Sequence, residues 1–313
     1  MSLTVKQIRE TTTEIYKRKP PRPAPTERGE NKCSGDENMV DKVNEIEDSA
    51  NKAKKIEYRD CYVAFLDILG FKELIKTSEC SDIFNLMEEC VNSCKFYIDD
   101  VSETSKITKE YRNSIFEEIT LNLISDSVVI SVPSDRKCSL DVLVFVICSL
   151  IIKCFKDYGV LFRGGISKGD FFAFENKVYG PALNDAYLLE SQNAKFPRVI
   201  FTAELLEDYL AKNFNRDFNI LSTAIEVDKN DYFNFVDYLF FLMHQGKANA
   251  ETEEQKKGFS NLIDKINKKI SDELATEKNP GVREKYVWLK EYMKRAKKRD
   301  SEHSAFTHNG VTL

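Results

Sequence analysis

Along this chain, short runs that are apolar throughout or at every second position alternate with longer stretches whose apolar residues recur every three or four positions. The short runs predict strands at 61–67, 118–125, 127–132, 160–168, 170–175 and 198–201, with another near 232–237. The longer stretches predict helices at 71–77, 81–104, 139–158, 181–192 and 203–211. The order β-α-β-β-α-β, with a tight link at 125–127, is the split βαβ or ferredoxin-like arrangement of an α+β fold. From Glu251 onward two amphipathic helices follow. Phe259, Leu262, Ile263, Ile266 and Ile270 mark the first, and Tyr286, Trp288, Leu289 and Tyr292 the second, with Pro280-Gly281 breaking them apart. These aromatics read as packing against the core.

The pattern also divides the chain. Residues 1–17 carry marks of a short helix (Val5, Ile8, Ile15), Arg18 to Asn38 is rich in Pro, Gly and charge, and Met39 to Glu57 is charged and helix-prone. Lys19-Pro20-Pro21-Arg22-Pro23-Ala24-Pro25 reads as a solvated tether rather than a docking ligand. The expected organisation is an N-terminal extension over 1–57, a compact domain over 58–245 and a C-terminal helical extension over 246–313.

Composition narrows the function classes. The 313 residues carry 46 basic and 51 acidic side chains, net −5, so no global field draws the chain to nucleic acid or anionic lipid. The run from Leu140 to Phe155 is the one membrane candidate. It contains Asp141 and Lys153 and falls short of the roughly 20 apolar residues of a span, so a buried helix is expected. Eight Cys without a CxxC pair read as reduced core thiols of a cytoplasmic protein, and His244, His303 and His308 lack zinc spacing.

The candidate chemistry begins at Tyr62-Val63-Ala64-Phe65-Leu66-Asp67-Ile68-Leu69-Gly70-Phe71, where an apolar strand runs into an aspartate and then a glycine turn. A carboxylate at a strand end beside a Gly that lets backbone amides approach a ligand suits a metal and a phosphate. Alone, a strand ending on a polar turn residue would be the ordinary alternative. A second aspartate, Asp126, lies in Thr120-Leu121-Asn122-Leu123-Ile124-Ser125-Asp126-Ser127-Val128. Its own alternative is a plain hairpin turn. Two aspartates on or beside adjacent strands suit one or two divalent cations.

Two further segments complete a series: Phe162-Arg163-Gly164-Gly165-Ile166-Ser167-Lys168-Gly169, and Tyr179-Gly180-Pro181-Ala182-Leu183-Asn184-Asp185-Ala186. In this order the four blocks resemble the class III nucleotidyl cyclase catalytic domain over about residues 58–240. The resemblance implies a homodimer with composite sites and two Mg²⁺ or Mn²⁺ ions per site held by Asp67, Asp126 and the Ile68 carbonyl. It implies phosphates cradled by amides around Leu69, Gly70 and Phe71, with Phe65 also on the substrate side, and a role for Asn184 in catalysis.

The departures from that family refine the expectation. Purine cyclases of the class read the base with a Lys four residues before the second aspartate and an Asp seven residues before the motif Asn; here these are Asn122 and Lys177. An Asn amide donates or accepts, and a Lys donor suits a pyrimidine carbonyl. The family's transition-state Arg, four residues after the Asn, is Leu188, which leaves Arg163 as the nearest candidate by strand position. Its alternative is an Arg paired to a carboxylate. The chain is therefore most similar to the pyrimidine cyclases of bacterial anti-phage (Pycsar) systems. That implies UTP or CTP as substrate, cyclic UMP or cyclic CMP as product, and a separate effector that senses the diffusible messenger. A purine cyclase with an altered pocket, or a silent cyclase-like nucleotide-binding protein, are the alternatives.

Overall fold

The computed structural model describes residues 56–104, 115, 118–174, 177–212, 220–248 and 252–308. The expectations for residues 1–55 lie outside the described residues. From Arg59 onward the chain builds an eight-stranded mixed sheet with helices on both faces. Its first half is β1 (Arg59–Leu69), α1 (Phe71–Thr77), α2 (Cys80–Thr104), β2 (Thr120–Ile124), β3 (Ser127–Pro133), α3 (Ser139–Tyr158) and β4 (Leu161–Phe174). These strands lie in the order β2-β3-β1-β4, every neighbour antiparallel, which is the ferredoxin-like βαββαβ arrangement expected from the sequence.

β1 is central and packed on both faces, which is why it reads as a nearly continuous apolar run rather than an alternating one. Tyr62, Ala64, Leu66 and Ile68 face the larger core, built with α2 and α3. Cys61 and Val63 face a smaller cluster with Val129, Phe171 and Ala182. The apolar 139–158 segment is that buried helix, with its residues at 0–9% exposure from Leu140 through Leu150. Among the described residues, no helix is long and apolar enough to cross a membrane. Of the described cysteines, Cys61, Cys90, Cys138, Cys148 and Cys154 are buried, and among the described residues none of them forms a disulfide.

Beyond β4 come β5 (Lys177–Tyr179), α4 (Pro181–Asn193), β6 (Val199–Phe201), α5 (Ala203–Lys212), α6 (Leu221–Ala224), β7 (Ile225–Val227) and β8 (Asn234–Val236). They extend the sheet as β4-β6-β8-β7, with β6 parallel to β4 and β5 pairing only with the far end of β4. The sequence predicts separate strands at 160–168 and 170–175; the structure has one continuous β4. Gly169, at φ +154°, absorbs the irregularity without ending the ladder, so pairing with β1 continues to Phe171. α7 (Tyr238–Ala248), α8 (Glu253–Thr276) and α9 (Pro280–His308) close the chain. Ile266 and Ile270 of α8 and Trp288, Leu289, Tyr292 and Met293 of α9 join the same core cluster as the sheet.

Candidate active site

Antiparallel register decides what meets at the end of β1. Asp67 is opposite Ser127 on β3 and opposite Arg163 on β4. Directly opposed residues share a face, so Arg163 and Asp67 project to the same side. Ser125 and Asp126 form the two-residue turn between β2 and β3, with Ser125 at φ +58°. The Ile68 N–H donates to the Asp126 carbonyl at 3.0 Å, which clips that turn to the end of β1. Asp67, Ile68 and Asp126 are thereby brought together. Gly70, left-handed at φ +81°, then reverses the chain into α1, where Glu73 and Leu74 donate back to its carbonyl. A side chain at Gly70 would meet no neighbour, so its glycine is required by the backbone turn and not by crowding.

Arg163 holds the centre. Its Nε donates to Asp67 Oδ2 at 3.0 Å, and its Nη1 lies 3.5 Å from the Ala194 carbonyl. Nε also sits 2.8 Å from Glu190 Oε1, yet it carries a single hydrogen, aimed at Asp67. Glu190 Oε1 is therefore buried without a hydrogen-bond donor. Glu190 is 3% exposed, and burial, opposed by Arg163, raises its carboxyl to about 7. Burial also raises Asp67, against the pull of Arg163, with Asp126 adding to the rise. Buried carboxyls held above their ordinary range beside a specific charge partner mark a functional-site candidate.

Glu190 reaches this point because of Gly165. A Cβ at Gly165 would collide with the Ala186 carbonyl and lie 3.0 Å from the Glu190 nitrogen, and one at Gly164 would lie 2.5 Å from the Phe65 carbonyl. Gly165 thus lets α4 lie directly on β4, while Gly164 makes room for β1 at Phe65 and Leu66; Ala182, Ala186 and Glu190 are the buried stripe of α4. That spacing is the signal in the sequence: an acidic residue in line with two alanines at helical repeat.

The other predicted residues fall elsewhere. Asn122 is opposite Val129, which is opposite Phe65, so Asn122 and Phe65 share the face of Asp67 but sit across two strands from each other. Phe65 is covered by Tyr187 of α4, ring centroids 5.4 Å apart. Asn184 is exposed in the first turn of α4, about 9 Å along the axis from Glu190. Lys177 pairs with Phe174, which lies about 35 Å of extended strand beyond Arg163. Within one chain, Lys177 does not reach Asp67. Leu188 is 45% exposed, on the outer side of α4.

Sequence reasoning also missed Lys285. It is half-buried on α9 and interacts electrostatically with Arg163 and Asp67; burial, then Arg163, lowers its pKa. Nothing local in the sequence connects it to Arg163 and Asp67, both more than a hundred residues earlier.

Among the described residues, no group of three or more His, Cys, Asp or Glu is placed to hold a metal ion. The site offers two carboxylates and the Ile68 carbonyl, an all-oxygen donor set. Such a set fits Mg²⁺ or Mn²⁺, which are commonly bound by one or two carboxylates plus substrate phosphates and water.

No family model matches the chain, and no curated protein matches it. Among solved structures it is similar to a bacterial light-regulated adenylyl cyclase, at 16% identity over 49% of this chain and 80% of that one, with a TM-score of 0.34. It is also similar to the catalytic core of a rhodopsin-guanylyl cyclase with converted specificity in complex with ATPαS, at 16% identity over 57% of this chain and 96% of that one, with a TM-score of 0.33.

Proposed function

We propose that the chain is a nucleotide cyclase that converts UTP or CTP to the 3′,5′-cyclic monophosphate and pyrophosphate. The observation that carries this reading is the convergence of Asp67, Asp126 and the left-handed Gly70 turn at one end of β1. Asp67, Asp126 and the Ile68 carbonyl would hold the divalent cations, Mn²⁺ or Mg²⁺. When bound, these would lower the pKa of the ribose 3′-hydroxyl and neutralise charge on the phosphates. The 3′-oxygen forms a bond to the α-phosphorus as its proton leaves to solvent. The bond from the α-phosphorus to the bridging oxygen breaks, and pyrophosphate departs with that electron pair. Leu69, Gly70 and Phe71 supply the backbone turn against which the β- and γ-phosphates would sit. Arg163, once drawn off Asp67, is the side chain placed to meet charge developing on the α-phosphate, since Leu188 offers none.

The active form in this reading is a homodimer. One chain gathers the aspartates, while Lys177 lies at the far end of β4 and Asn184 is exposed in the first turn of α4, which is the separation that composite sites require. Exposed Tyr187, Leu188, Tyr179 and Ile124 around α4, β5 and β2 give a second copy apolar surface to cover. Asn122 and Lys177 would then read the base of a nucleotide held by the partner's aspartates. The product would serve as a diffusible messenger for a separate effector in anti-phage defence, with no nucleic-acid or membrane partner.

The test is turnover of purified protein with each of the four ribonucleoside triphosphates and Mn²⁺. Leaving a buried polar group unpaired costs about 1–3 kcal/mol, so each mismatched base contact should reject a purine by roughly tenfold or more. UTP or CTP should therefore exceed ATP and GTP in kcat/KM, with UTP favoured because its two carbonyls accept from Lys177 and Asn122. A preference for ATP or GTP would overturn the pocket assignment, and no cyclisation from any of the four would overturn the enzyme reading.

A further inference from the structure

One hydrogen on Arg163 is contested by two carboxylates. The Nε–H donates to Asp67 Oδ2 at 3.0 Å, while Glu190 Oε1 lies closer still, at 2.8 Å. Glu190 is 3% exposed, and among the described residues its Oε1 has no donor. A buried acceptor left in that state is unfavourable, so a second arrangement that satisfies it is close in energy. Its position is fixed from two sides. Gly165 admits the backbone of α4 at Glu190, and the Ala194 N–H closes the helix end by donating to the Glu190 carbonyl at 2.9 Å. The Ala194 carbonyl in turn lies 3.5 Å from Arg163 Nη1. The end of α4 thus faces the guanidinium with an idle carboxylate oxygen and a loosely used carbonyl, while β1 faces it with Asp67.

A divalent cation and Arg163 compete for Asp67. The guanidinium sits at ion-pair distance from Oδ2, and a cation on the same carboxylate would meet like charge there. Arg163 released from Asp67 with no other acceptor would be a part-buried cation without a partner. Glu190 Oε1 is already within hydrogen-bond distance, so a small turn of the Nε–H exchanges one carboxylate for the other while Arg163 keeps its place on β4.

We propose that Glu190 is a positioning residue that takes over Arg163 from Asp67 when a divalent cation binds Asp67. It rests on the reading of Asp67 as a cation ligand. In the exchange one N–H···O bond replaces another and no proton is transferred. With Nε held by Glu190, the Nη groups stay available to phosphate oxygens.

Titration of the full chain with Mn²⁺ alone, read from the electron paramagnetic resonance signal of free Mn²⁺, tests this without turnover. Glu190→Gln keeps an acceptor and loses the charge, and Glu190→Ala loses both. The first should weaken Mn²⁺ binding about threefold to tenfold and the second about tenfold or more, the scale of a hydrogen bond to a charged group. Arg163→Met leaves Asp67 unoccupied and should bind Mn²⁺ at least as tightly as wild type. In that background Glu190→Gln should alter affinity less than about twofold, because no guanidinium remains to be received. Thermal melts confirm that each variant is folded. Equal losses with and without Arg163 would mean that Glu190 acts on the cation by its own charge, and that overturns the handover. Unchanged Mn²⁺ affinity in folded Glu190→Gln and Glu190→Ala, or no Mn²⁺ binding by wild type, overturns it too. An Arg163-dependent loss in a protein that cyclises none of the four nucleotides upholds the handover and removes the cyclase reading. Cyclisation without that dependence does the reverse.

Discussion

Two clusters of buried charge in this molecule use the same pairing chemistry and differ in how completely they are closed. The first anchors α9. Arg198, 1% exposed in its side chain, donates through Nη1 to Asp228 at 2.5 Å and bonds Asp231 through Nη2. Arg299 pairs with Asp237, and Tyr292 donates to Asp237 at 2.6 Å, with aromatic rings of Phe196, Phe235, Tyr238 and Trp288 packed around. Each of its carboxylates has a cation in contact, and several have a second donor, so that what it leaves unmatched is Nε of Arg198 and of Arg299 rather than a carboxylate oxygen. The second cluster is the one at the end of β1. There a single guanidinium lies within ion-pair distance of both Asp67 and Glu190 but donates only to Asp67, and among the described residues Glu190 Oε1 has no donor. A cluster whose carboxylates are each matched fixes geometry. One with a carboxylate oxygen left without a donor keeps capacity for a ligand.

That contrast predicts opposite responses to mutation. Asp67→Ala and Asp126→Ala should each reduce cyclisation by about a hundredfold or more, because the cations they would hold supply most of the charge stabilisation. Folding should change by no more than about 1 kcal/mol, since loss of Asp67 frees Arg163 for Glu190. Near-wild-type rates in either variant under saturating Mn²⁺ would remove the two-carboxylate assignment.

In the closed cluster the effect should fall on stability. Arg198→Met leaves Asp228 buried without its cation, and breaking a buried pair in this way costs about 3–5 kcal/mol. Urea unfolding of the two proteins measures it. A loss below about 1 kcal/mol would mean that Asp228 and its neighbours reorganise, and that the anchor is no more rigid than the site.

The sequence exposes the open cluster unevenly. Asp67 and Asp126 stand out because each ends or interrupts an apolar run, a local signal that needs no knowledge of pairing. The ferredoxin-like order is legible for the same reason: its strands and its long α3 are strongly patterned. Short strands are not. β7 is only Ile225-Glu226-Val227, and its place in the sheet comes from pairing with β8, which no local pattern encodes. The break expected between 168 and 170 fails because one Gly bends β4 while β1 continues to pair along it. Glu190 is visible only once Ala182 and Ala186 are seen to face β4. Lys285 depends on how α9 docks, which is set by Trp288 and Glu284 contacts far along the chain.

The smallest expected effect reads the openness of the site directly. Glu190 ionises at an ordinary 4.5 in the unfolded chain, and burial raises it to about 7 in the folded protein. Between those values the folded state binds the proton more tightly than the unfolded state. The Glu190 contribution to stability is therefore fully present below about pH 4.5 and is lost as pH rises through about 7. The wild type should lose on the order of 1–3 kcal/mol across this window relative to Glu190→Gln, which keeps an acceptor for Arg163 and does not titrate. Asp67 contributes in the same direction in both proteins, so the difference between the two unfolding curves isolates Glu190. Measurements in chelator keep cations from claiming the neighbouring carboxylates. Parallel curves from pH 4.5 to 8 would mean that Arg163 already satisfies Glu190 as a carboxylate, and the site would then be as closed as the anchor around Arg198.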